Sequence, residues 1–139
     1  PEEKEDFNAD ISGVRILLVE DNELNAEIAE FILTENGAKV ETVKNGLEAV
    51  QHFEACESGT YDVILMDVMM PVMDGYEATR EIRKLSLDVP IIAVTAFAYA
   101  SDEQRAMENG FDGYMAKPIS APQLRQQIAA ILQKRIILL

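Results

Sequence analysis

The chain has 139 residues, 48% of them hydrophobic, and a formal net charge of −13. That length and apolar content suit one globular domain with a true core and exclude a disordered chain. The negative charge disfavours nucleic acid or an anionic membrane surface as a partner of this domain, and the longest apolar runs are far too short to span a bilayer.

Residues 1–10, PEEKEDFNAD, are charged and aperiodic, so residues 1–13 are expected to form a linker or disordered leader. RILLV at 15–19 is the first short, continuous apolar run. Weaker KVETV at 39–43, strong YDVILM at 61–66 and PIIAV at 90–94, and weaker GYMA at 113–116 follow. Continuous hydrophobicity fits strands buried on both faces, as in a parallel sheet. Helical patterns lie between them. Asn45 with Glu48, Asp74 with Glu77, Ser101 with Gln104 and Ser120 with Gln123 have capping-box spacing. Gly37 and Gly110 stand where left-handed helix stops are expected. Strict alternation predicts an α/β domain over 14–134 with a parallel sheet and right-handed crossovers. The apolar tail RIILL at 135–139 fits either an extension of the last helix or a surface for a neighbouring domain. Cys56, the single cysteine, cannot form an internal disulfide, and no secretory signal is visible, which predicts a reducing, cytoplasmic setting. A chain starting at Pro1 is expected to be a piece of something longer.

In an open α/β sheet, ligands bind beyond the carboxyl ends of the strands. Here those ends carry Glu20 and Asp21, then Asp67, Thr95 and Lys117. Two carboxylates ~4 Å apart repel by about 4 kcal/mol at an effective dielectric near 20, so such a cluster needs compensation. Hard oxygen ligands without His or Cys point to Mg²⁺, with Asp21 and Asp67 as carboxylate ligands. Lys117 adds a fixed positive charge and Thr95 a neutral donor. The set suits phosphoryl transfer, with Asp67 placed to act as a carboxylate nucleophile.

These residues resemble the receiver domain of response regulators, the flavodoxin-like module of two-component signalling. The matching segments are LLVEDN at 17–22, ILMDVMMPVMDG at 64–75, VTA at 94–96 and KP at 117–118. The resemblance implies a (βα)5 three-layer sandwich with a five-stranded parallel sheet in the order 2-1-3-4-5. It implies Asp67 as phosphoacceptor, with Lys117 and Thr95 assisting. Asp21, Asp67, Glu20 and the backbone carbonyl of Met69 would hold Mg²⁺. Thr95 and Tyr114 would form a switch pair, the Lys117–Pro118 peptide would be cis, and the small Ala96 would lie beside the phosphate. EDNELN and MDVMMPVMDGYEATREIR are most similar to receivers of hybrid sensor histidine kinases. The implied partners are a histidine kinase domain, in the same chain or another, and a histidine phosphotransfer domain. The implied location is the cytoplasm, or the cytoplasmic part of a membrane-anchored hybrid kinase. Such a domain is not itself a turnover enzyme, whereas a parent hybrid kinase would be a transferase. Bulky Met69 and Phe97, each two residues past a site residue, imply slow hydrolysis of the aspartyl phosphate.

Blander readings exist for several residues. Asp74 suits a helix N-cap and Pro71 shapes the loop before it. Tyr114 could be plain core. Met66, Met69, Met70 and Met73 suit gap filling, His52 a solvated helix position, and Cys56 no redox role. Three rival functions compete with this reading. An aspartate-nucleophile phosphatase typically has a second Asp two residues after the first, where this chain has Met69, which cannot transfer a proton. A flavodoxin-like cofactor binder would need a Ser/Thr/Gly-rich loop where EDNELN is acidic. The third rival is a docking module that is never phosphorylated.

Overall fold

A computed structural model describes residues 11–96 and 99–138, with side chains through Ile131. The elements are β1 (Arg15–Val19), α1 (Glu23–Glu35), β2 (Lys39–Val43), α2 (Gly46–Ala55), β3 (Val63–Asp67), α3 (Gly75–Leu85), β4 (Ile91–Thr95), α4 (Ala100–Glu108), β5 (Gly113–Ala116) and α5 (Ala121–Leu138). All strand pairs are parallel, and the sheet runs β2-β1-β3-β4-β5.

The side-chain alternation of the central strands builds two separate cores. Leu17, Val19, Ile64, Met66, Ile91 and Ala93 face one side and pack with Ala49, Ala78, Ile82 and Ala106 of α2, α3 and α4. Ile16, Leu18, Val63, Leu65, Ile92 and Val94 face the other and pack with Ala29 and Leu33 of α1 and Leu124 and Ile131 of α5. This is why β1, β3 and β4 read as continuous apolar runs: each is covered on both faces. β2 is an edge strand, and its residues alternate between exposed and covered until Val43. Full burial of one such Leu or Ile contributes roughly 1.5–3 kcal/mol. Ile11, within the expected 1–13 leader, is buried in the second core.

Two strands sit slightly later than the apolar runs suggest. β3 begins at Val63 and contains Asp67 as its last residue; β4 likewise ends on Thr95. Tyr61 and Asp62 precede β3, although the Asp62 amide already donates to Arg15 O of β1 at 2.8 Å. Tyr61 donates its hydroxyl to Glu41, and Asp62 accepts from Arg15.

Asn45 and Asp74 cap α2 and α3, accepting from the amides of Glu48 and Glu77 at 2.8 Å each. Ser120 Oγ accepts weakly from Gln123 N at 3.3 Å. Ser101 is not a cap. It lies inside α4, which starts at Ala100 behind an N-cap, Tyr99, whose side chain makes no capping bond. Asp102 and Glu103 in the first turn favour that end electrostatically instead. Asn22 caps α1 by accepting from Asn25 N at 2.9 Å. α1 and α4 both end in paired Schellman bonds, Ala38 N to Leu33 O with Gly37 N to Thr34 O, and Phe111 N to Ala106 O with Gly110 N to Met107 O. Gly37 and Gly110 hold the positive φ, +93° and +102°, that this stop requires.

Candidate phosphoacceptor site

The sheet order brings the carboxyl ends of β1, β3, β4 and β5 to one rim. Asp67 ends β3 with only 5% of its surface exposed, Glu20 follows β1 at 6%, and Thr95 ends β4 at 7%. Asp21 is exposed. Glu20, Asp21 and Asp67 offer carboxylate oxygens that all lie within 4.8 Å of one another. Lys117, one residue beyond β5, points its ammonium between two of them, 2.8 Å from Glu20 Oε1 and 3.2 Å from Asp67 Oδ2. The other Asp67 oxygen accepts from Met69 N–H at 3.2 Å.

The position of Lys117 is itself fixed by backbone. Its N–H donates to Thr95 O at 2.7 Å, and the Lys117–Pro118 peptide is cis. The acceptor strand is fixed from the other side by Gly75, whose N–H donates to Val68 O at 3.0 Å. A Cβ on Gly75 would lie 2.4 Å from Asp67 O, so only glycine lets α3 press against the end of β3.

Burial pushes the Asp67 carboxyl up to about 6, and the charge of Glu20 adds to the shift; Lys117 and the Met69 amide pull the other way without cancelling it. For Lys117 burial acts to lower the pKa, but the hydrogen bond to Glu20 and the charges of Asp67 and Glu20 outweigh it and hold the ammonium above its ordinary value. The rim therefore has more negative charge than its lysine neutralises. Three carboxylates with oxygen donors only, and no His or Cys among the cluster, fit a hard divalent cation.

A cleft of about 540 Å³ opens over this cluster. Thr95 and Tyr114 both line it. Burial first, then the charge of Asp102, raises the Tyr114 phenol above its ordinary value. Met69 lies on the cleft wall with its residue surface 77% exposed. Ala96 lines the cleft too, whereas Phe97 lies outside the described residues.

Two cleft residues were not found by reading the sequence. Arg105 of α4 lies over the ring of Tyr76 at 4.4 Å, and Tyr76 packs edge-on against Phe111 at 5.9 Å. No motif marks this contact; it arises only when α3 and α4 meet. Asp74, His52 and Cys56 stay outside the carboxylate cluster. Asp74 is a cap, His52 pairs with Glu41 at 3.1 Å, and Cys56 is a free thiol at 3.8 Å from the Tyr61 hydroxyl.

Residues 16–129 match the response regulator receiver domain family. The chain belongs to this family. Among its relatives, the peroxide stress-activated histidine kinase mak1 of Schizosaccharomyces pombe is 39% identical over 91% of this chain, and the sensor protein GacS of Pseudomonas syringae is 39% identical over 82%. The chain spans only 8% of the former and 13% of the latter. The receiver domain of sensor histidine kinase PA1611 from Pseudomonas aeruginosa, solved with a magnesium ion coordinated in its active-site cleft, is 40% identical; its TM-score is 0.75, over 88% of this chain and 99% of that one. This protein is thus a receiver domain of two-component signalling, related to the receivers of hybrid sensor histidine kinases. Among the described residues no helix is long and apolar enough to cross a membrane.

Proposed function

We propose that this receiver accepts a phosphoryl group on Asp67 from the phosphohistidine of a histidine kinase domain and relays it to a histidine phosphotransfer domain. An Asp67 carboxylate oxygen forms the new O–P bond as the P–N bond of the donor breaks, and the electron pair of that bond returns to the imidazole nitrogen. The observation that carries this reading is the position of Lys117, within 3.2 Å of Asp67 in a rim crowded with carboxylates. Its ammonium neutralises charge on the transferring group, and the Thr95 hydroxyl donates to a phosphoryl oxygen. Asp21, Asp67, Glu20 and the Met69 carbonyl are the residues that would hold Mg²⁺, which when bound supplies charge neutralisation and in-line positioning. Thr95 and Tyr114, which line the cleft together, act as the switch pair.

An apolar stripe supports a protein partner. Leu24, Ile28 and Phe31 stand four and three residues apart on α1 and are 64%, 46% and 66% exposed. Ile28 also borders a shallow cleft lined by Ala96, Lys117, Pro118 and Ile119, next to the acceptor.

The test is labelling from a phosphohistidine donor. Asp67→Asn is expected to stay folded and take up no phosphoryl group. Retained labelling of that variant would overturn the assignment.

A further inference from the structure

β5 is the outer strand beside β4, so one row of its backbone groups has no strand partner. Such rows are open templates for pairing unless something covers them. At Tyr114 a side chain covers it. Gln127 Oε1 accepts from Tyr114 N–H at 3.2 Å, and Gln127 Nε2 donates to Tyr114 O at 2.9 Å. A primary amide carries acceptor and donor side by side, as a peptide does, so one residue of α5 reproduces a strand pairing. Gly113 makes the approach possible: a Cβ there would lie 2.2 Å from Gln127 Oε1. Tyr114 also lines the acceptor cleft together with Thr95.

We infer that Gln127 is a positioning residue for the acceptor switch, locking the backbone of Tyr114 to α5 so that the phenol answers Thr95 by side-chain rotation about a fixed main chain. This rests on the reading of Thr95 and Tyr114 as the switch pair. Without the lock, β5 and α5 slide past each other, and the ring's response is spread over a range of backbone positions. A mere edge cap would affect stability alone. A lock affects how sharply the switch responds.

The experiment uses the whole chain, isotope-labelled, with Mg²⁺ and beryllofluoride as the phosphoryl mimic. Gln127→Met keeps the stem and loses both bonds. Gln127→Glu keeps an acceptor for the amide but sets a carboxylate against the Tyr114 carbonyl. Gly113→Ala leaves Gln127 in place and displaces its amide, which keeps the test open should a Gln127 variant not fold. Protection of the Tyr114 amide from hydrogen exchange is expected to fall about tenfold in Gln127→Met and Gly113→Ala, and further in Gln127→Glu, with β3 amides unchanged. At saturating beryllofluoride the wild type is expected to show one set of Thr95 and Tyr114 resonances, and the variants broadened or divided ones. Variants that lose stability yet respond as sharply as the wild type, or that keep wild-type protection at Tyr114, overturn the inference. A wild-type chain whose Thr95 and Tyr114 ignore beryllofluoride sinks the switch reading itself, and that outcome is separable because it needs no substitution.

Discussion

Strand β3 has an aspartate at each end, and the two have opposite surroundings. Asp62, just before the strand, accepts from the Arg15 backbone at 2.8 Å and from its guanidinium at 2.9 and 3.1 Å. Those bonds hold its carboxyl below the ordinary range. Asp67, five residues on, is buried beside Glu20 and shares one lysine with it, and its carboxyl is pushed up to about 6. The base of the sheet repeats the first pattern. Arg83 donates to Asp112 at 2.6 Å and to the carbonyls of Gly110 and Val89 at 2.9 and 2.7 Å. One end of the sheet matches Asp62 and Asp112 to arginines, and the other leaves an excess of acid in a cleft. A matched pair holds structure together; an unmatched cluster is available for a ligand.

Four measurements bear on that contrast, from the largest effect to the smallest. Arg83→Met should destabilise the domain by about 3 kcal/mol in a denaturant titration, because a half-buried Asp112 loses its cation and the carbonyls of Ser86, Val89 and Gly110 lose a donor. A loss under about 1 kcal/mol would mean the base of the sheet is not held this way. At the rim, free Mg²⁺ at a hundred times its dissociation constant should stabilise the wild type by about 2.7 kcal/mol, and Asp67→Asn should lose most of that gain. In chelator the order reverses, and Asp67→Asn should be the more stable by roughly 1–2 kcal/mol because burial, and then the charge of Glu20, disfavour a charge there. The folded carboxyl lies above its unfolded value. Metal-free wild-type stability should therefore fall as pH rises from about 4 to about 6, a slope that Asp67→Asn should lack.

Third, Val72 in the loop after β3 holds φ of +71°, closed by a bond from Met73 N to Pro71 O at 2.8 Å. A β-branched residue is strained in that region, so Val72→Gly should raise stability by about 0.5–1 kcal/mol. A drop would show that the exposed valine has contacts outweighing the strain. Last and smallest, Asp62→Asn should weaken the fold near the detection limit, since the Asp62 side chain is 43% exposed. Its carboxyl is depressed, so the stabilisation is present above about pH 4. The gap between wild type and variant should close as pH falls below that.

The rim was legible in the sequence for a physical reason. Asp67, Thr95, Lys117 and the pair Glu20–Asp21 stand at or just after apolar runs, and parallel topology sends all such ends to one side. β5 was the weakest of those signals, because GYMA is four residues long and half covered. What the sequence left hidden depends on contacts between elements distant in the chain. Arg105 meets Tyr76 only after two helices pack, and Gln127 is one of several glutamines on α5 until β5 lies beside it. α4 starts before Ser101, the residue with capping spacing, because the acids Asp102 and Glu103 in its first turn support the earlier start. The Asn22 cap carries no capping-box signature, because the third residue after it is Asn25 and not Glu or Gln.

The odd–even alternation of β3 has a consequence for how this protein can change. Val63 and Leu65 pack toward α1 and α5, Ile64 and Met66 toward α2, α3 and α4, and Asp67 follows in the same frame. A single residue inserted anywhere in that strand would exchange the two sets of side chains or turn the carboxylate out of the rim. Evolution therefore cannot retune the reach of this carboxylate by lengthening its strand, and variation must come from the loops that surround it.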